Sequence, residues 1–146
     1  MNQNHFNFIF KENPSPEEVR CIQEGLQEYN RAYAPEDYSQ PLNIFIRTTP
    51  GKIVGGLLGI TYWGWLYVSY LWLDENVRRQ GLGERLLSMA EEEAIRRGCH
   101  HAHLETMSFQ ALHFYQKHGY TVFGELHDLP TGHSRIFLKK DLQASS

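Results

Sequence analysis

A chain of 146 residues is long enough for one domain with its own core, and a net charge of −3 leaves no basic footprint for nucleic acid. The two cysteines, Cys21 and Cys99, fit reduced thiols better than a disulfide framework. No apolar run approaches the roughly 20 residues of a membrane span, and residues 1–5 lack the basic and apolar regions of an export signal, so the expectation is a cytoplasmic protein without membrane contact.

Phe6, Phe8 and Phe10 alternate with Asn7, Ile9 and Lys11, which predicts a strand with one aromatic face. Ser15-Pro16-Glu17-Glu18 opens a helix, with Ser15 as N-cap, Pro16 in the first turn and Glu18 completing a capping box. Val19, Ile22, Leu26, Tyr29 and Tyr33 follow at helical spacing and predict a mostly core-facing stripe. Tyr29 and Tyr33, at its end, either pack there or wall a substrate pocket. Residues 44–47 read as a short strand, Thr49-Pro50-Gly51-Lys52 as a turn, and Ile53–Tyr62 as a strand in which Gly55, Gly56 and Gly59 mark a bulge or close backbone packing. Trp63-Gly64 turns the chain into the next strand.

That strand, residues 67–73, is apolar on both faces apart from Ser69, as in the middle of a covered sheet. Arg78-Arg79-Gln80-Gly81-Leu82-Gly83 follows, and then Leu82, Leu86, Ala90 and Ala94 recur every fourth residue along a helix that ends at Arg97-Gly98. A glycine loop entering a helix presents unpaired N–H groups, and Arg78, Arg79 and Arg85 add charge beside them, so an anion, a phosphate above all, is the expected ligand. Next, residues 101–107 alternate, with His101, His103 and Glu105 on one face and Ala102, Leu104 and Thr106 on the other. The strand–helix–strand order makes this strand parallel to residues 67–73. A further helix opens near Ser108, shows the face Ala111, Phe114, Tyr115 and His118, and closes at Gly119. Residues 120–126 and 134–139 form a final hairpin, and 143–146 a frayed tail. His101 and His103 are the nearest metal-binding pair, but no Cys or carboxylate set completes a shell, so no metal is expected.

Two motifs carry a resemblance. Arg78-x-x-Gly81-x-Gly83 resembles the Arg/Gln-x-x-Gly-x-Gly/Ala loop of the GNAT N-acetyltransferases, and Ser108-Phe-Gln-Ala111-Leu-His-Phe-Tyr115-Gln-Lys117-His-Gly119-Tyr120 resembles their Asn-x-x-Ala-x-x-hydrophobic-Tyr-x-Lys-x-Gly-Phe/Tyr signature. Ser108 departs from the usual Asn. The resemblance implies an α+β fold over residues 1–146 as a single domain: a mixed, mostly antiparallel sheet of six or seven strands with a splayed parallel central pair, flanked by about four helices. It implies acetyl-CoA as the acyl donor, held by Leu73, Arg78, Arg79, Gln80, Gly81, Leu82, Gly83, Glu84, Ser108, Ala111 and Tyr115, with the pantetheine arm adding like a strand near Trp72 and Leu73. Tyr115 is placed to protonate the departing thiolate, and backbone N–H groups near Leu73 to hold the oxyanion. For deprotonating the amine, Glu105, His103, His133 and a water chain stay open. The acceptor is read as a small-molecule primary amine, bound by Tyr29, Tyr33, Asp128 and His133, with Glu36 and Asp37 as further anionic groups. A protein or peptide amine, a silent acyl-CoA sensor and a homodimer remain alternatives.

Overall fold

The computed structural model describes residues 5–49 and 51–143, so the readings made on residues 1–4, on Pro50 and on the tail from 144 lie outside the described residues. Contacts divide the chain into two compact units, Met1–Glu36 and Asp37–Ser146.

In the first unit, helix α1 (Pro16–Arg31) starts where the capping box requires. The Glu18 N–H donates to Ser15 Oγ at 3.1 Å, and the Ser15 N–H donates to Glu18 Oε1 at 2.9 Å. Two expectations fail here. Residues 6–11 form no strand, because this unit offers no second strand to complete a backbone ladder. The stripe from Val19 to Tyr33 is not core, for none of the α1 residues is buried and Ile22 is 76% exposed. One helix has no second layer in its own unit against which to bury an apolar face.

The second unit is a six-stranded sheet in the order β1-β2-β3-β4-β6-β5. Its strands are β1 (Gln40–Arg47), β2 (Ile53–Tyr62), β3 (Trp65–Leu73), β4 (His101–Met107), β5 (Thr121–His127) and β6 (Ser134–Asp141). A two-residue turn at Trp63 and Gly64, both at positive φ, joins β2 to β3 as tight hairpins require. A 3-10 turn (Glu75–Val77) and helix α2 (Leu82–Arg96) carry the chain from β3 to β4, and this crossover makes β3–β4 the parallel pair. The apolar stripe of α2 is buried at Leu86, Leu87, Ala90 and Ala94, in one core cluster with Leu57, Leu66, Val68, Ala102, Leu104 and Leu138. Arg97 ties the far end of α2 to the sheet, donating to Glu93 at 2.9 Å and to the Thr61 hydroxyl at 3.1 Å.

The strand glycines mark close packing. A Cβ at Gly59 would lie 2.6 Å from the Tyr67 carbonyl oxygen, which is backbone and cannot rotate away. Gly59→Ala is therefore expected to destabilise the protein by about 1–3 kcal/mol, seen as a lower urea midpoint at unchanged m-value. An unaltered midpoint would mean that the strand can shift at no cost.

Helix α3 (Leu112–Lys117) begins later than the sequence suggests. Gln110 Oε1 accepts from the Met107 N–H at 2.8 Å, and Ser108 Oγ accepts from the Ser134 N–H at 3.0 Å. Side chains thus hold residues 108–111 in turns against β6, and Ser108 latches two strand ends instead of capping a helix.

Candidate active site

The site exists because β3 and β4 part company. They pair from Trp65–His101 to Val68–Leu104 and no further. At that point β3 carries a bulge: Leu58 faces Tyr70 and Gly59 faces Val68, which leaves Ser69 without a partner on β2. Ser69 Oγ donates to the Leu58 carbonyl at 2.9 Å and holds the extra residue in place. A bulge bends its strand and re-aims the side chains beyond it. Meanwhile β4 stays with β6 as far as Met107–Arg135. Between the diverging ends lies a cavity of about 380 Å³, whose walls include Ser69, Leu71, Glu105, Ala111, Tyr115 and Arg135.

Tyr115 reaches it from α3 and is 7% exposed. Its ring stands edge-on to Phe114 and Tyr120, and its hydroxyl makes no hydrogen bond among the described residues. Burial raises its pKa above the usual phenol value, so the hydroxyl keeps its proton at neutral pH. Glu105 enters from β4. Its Oε1 accepts from the Tyr67 hydroxyl at 2.9 Å, while Oε2 has no partner among the described residues. Burial, and then the bond to Glu105, pushes Tyr67 up to about 12, so Tyr67 serves as a fixed donor. His103 sits one step away along the same face, stacked on Tyr67 at 4.7 Å, with Nε2 bonded to the Tyr62 hydroxyl at 2.9 Å. Burial lowers its pKa, partly offset by Glu105, and the ring lines a separate recess with Tyr62 and Trp65.

At the exit of β3, Arg78 Nε donates to the Leu73 carbonyl at 3.0 Å and pins the glycine loop to the strand. Arg79 and Gly81 take left-handed conformations, φ 65° and 78°. Gly81 is the N-cap of α2 and supplies no side-chain bond to its first turn, so the N–H groups of Leu82, Gly83 and Glu84 lack a capping partner. Gly83 is helical and buried, and a Cβ there would touch the Phe114 ring at 3.5 Å and Leu73 at 3.6 Å. Of the two glycines in this loop, Gly81 has the positive φ and Gly83 does not. Arg79, Gln80 and Glu84 are exposed beside it.

Of the other residues singled out from sequence, Asp128 and His133 are not among the cavity walls. Asp128 (φ 57°) and His133 are exposed in the β5–β6 loop, His133 edge-on to Phe109 at 4.8 Å. Tyr29 and Tyr33 belong to the first unit, exposed, with ring centroids 5.1 Å apart. Tyr67, Gln110 and Arg135 were not foreseen. Arg135 shares a face of β6 with Phe137, a pattern common to half-solvated strands, and only the register with β4 brings it to Glu105. Among the described residues no group of three or more His, Cys, Asp or Glu side chains is placed to hold a metal, and His101 is bonded to Asp141 at 2.8 Å. No helix among them is long and apolar enough to cross a membrane.

Residues 6–120 match the model of the acetyltransferase (GNAT) family. The chain is 41% identical over 134 residues to Acetyltransferase Atu2258 of Agrobacterium fabrum, covering 92% of this chain and 98% of that protein. It is 42% identical over 93 residues to Blasticidin-S acetyltransferase of Streptomyces morookaense, covering 63% of this chain and 68% of that protein. The crystal structure of an acetyltransferase from Bacillus cereus superposes with a TM-score of 0.83 at 35% identity, over 92% of this chain and 98% of that one.

Proposed function

The chain belongs to the acetyltransferase (GNAT) family, an acetyl-CoA-dependent N-acetyltransferase, and from that membership we propose that its acceptor is the primary amine of a small molecule, acetylated directly in a ternary complex. The observation that carries this reading is the gap between β3 and β4, with a carboxylate and a neutral phenol on its walls. The similarity to a protein named for blasticidin S supports a small acceptor. The family match crosses the boundary between the two units, which supports reading residues 1–146 as one acetyltransferase domain, working in the cytoplasm.

The residues present fit acetyl-CoA. An uncapped α2 N-terminus in a left-handed glycine turn suits a pyrophosphate, with Arg79, Gln80, Leu82, Gly83 and Glu84 around it, and the open edge of β3 suits an extended arm. Bound there, the cofactor supplies an activated acetyl thioester. Ala111 and Tyr115 border the arm's end of the gap, while Arg78 acts by fixing the loop to Leu73.

The amine must be neutral to attack. Glu105 Oε2, which has no partner among the described residues, holds the incoming ammonium and takes its proton, with Tyr67 steadying the carboxylate through Oε1. Backbone N–H groups on the unpaired edge of β3 donate to the developing oxyanion. The buried, protonated Tyr115 then gives its proton to the departing thiolate. A panel of small amines and short peptides, scored by CoA release, tests the acceptor class. Release with small amines is the expected result, and release with peptides alone would move the acceptor to protein.

A further inference from the structure

Among the described residues Arg135 has no counter-ion, and it stands in the wall of the cavity between β3 and β4. Met107 faces Arg135 and Glu105 faces Phe137 in the antiparallel ladder, so Glu105 and Arg135 are diagonal neighbours on one face, with Cα atoms roughly 7–8 Å apart. Both side chains line the cavity that Tyr115 lines. They do not pair with each other. Glu105 Oε1 is taken by Tyr67, and among the described residues the Arg135 side chain makes no hydrogen bond or ion pair, its Nε being fully buried and unsatisfied.

Leaving a guanidinium N–H buried without an acceptor is unfavourable, and a protein keeps such a group where something else completes it. The planar fork of an arginine matches a carboxylate in two parallel hydrogen bonds, which a point-like ammonium cannot do. On the same wall, the open oxygen of Glu105 suits the ammonium end of an acceptor. One carboxylate and one unpaired guanidinium a diagonal step apart form a template for a molecule that carries both charges. Resting on the acceptor class argued above, we infer that the acceptor is an amino-carboxylate, its amine at Glu105 and its carboxylate at Arg135, as in an α- or β-amino acid or a larger molecule ending in one.

The test compares matched acceptors that differ only at the carboxylate: each amino acid, its carboxamide, and the amine that lacks the group. With the unaltered protein, kcat/KM for the amino acid should exceed that for its carboxamide by about 10- to 100-fold, the range expected for charged hydrogen bonds. In Arg135→Met that preference should collapse toward unity, chiefly through KM for the amino acid, and Arg135→Lys should restore part of it. The comparison within the unaltered protein stands even if Arg135→Met fails to fold. Equal or better turnover of the carboxamide overturns the inference alone and leaves the small-amine reading intact. A loss in Arg135→Met that is equal for all acceptors overturns it too, since the guanidinium would then serve the donor or the fold. Binding of acetyl-CoA without turnover of any small amine removes both readings together.

Discussion

Tyr115→Phe is expected to leave acetyl-CoA binding intact while lowering turnover by about 100-fold or more, the usual worth of a positioned general acid. The ring is 7% exposed and packs edge-on to Phe114 and Tyr120, and phenylalanine preserves that packing. Only the hydroxyl is deleted, and among the described residues it bonds nothing in the protein, so no buried partner is orphaned. Stability should change little. A phenol, with a pKa of about 10, is protonated at neutral pH and burial holds it so, which keeps its O–H available to the leaving sulfur as negative charge develops there. The measurement is kcat with a turned-over amine beside the melting temperature with and without acetyl-CoA. Turnover within a few-fold of the unaltered protein would make Tyr115 structural and route the proton through water.

Gly81→Val should abolish the thermal shift that acetyl-CoA produces. Gly81 stands at φ 78° as the N-cap of α2, a conformation that costs an L-residue roughly 1–2 kcal/mol and a β-branched one most. Valine therefore drives the turn out of the left-handed region and swings the first N–H groups of α2 away from their common target. At 100 times its dissociation constant a ligand stabilises by about 2.7 kcal/mol, so the unaltered protein should gain several degrees. Gly81→Asn is the control, because asparagine tolerates the left-handed region, and it should keep much of the shift. A full shift in a folded Gly81→Val protein would remove the α2 N-terminus as the phosphate site.

Local pattern was legible where neighbours in sequence are neighbours in space. The capping box at Ser15 and Glu18, the four-residue stripe of α2 and the alternation of β4 each depend on contacts within a few residues, and all three are present in the structure. The aromatic alternation at Phe6, Phe8 and Phe10 misled for the opposite reason. A strand is completed by hydrogen bonds from another strand, and period two by itself supplies none. Ser108 was misread as a helix start because its competing partner, the Ser134 N–H, is 26 residues away.

By itself the sequence determined the family, through two motifs whose spacing is local, and with it a mixed sheet with one parallel pair and the acetyl donor. The glycine turn and helix start after β3 were legible as well, since the residues that make them are consecutive in the chain. Only the tertiary structure decided where the sheet opens, because the Ser69 bulge is a mismatch between two strands and neither strand alone reveals it. Only the structure separated Gly81, where φ is positive, from Gly83, where the helix is already under way. And only the ladder between β4 and β6, which joins residues about 30 apart, set Arg135 beside Glu105, since side chains distant in sequence meet through register alone.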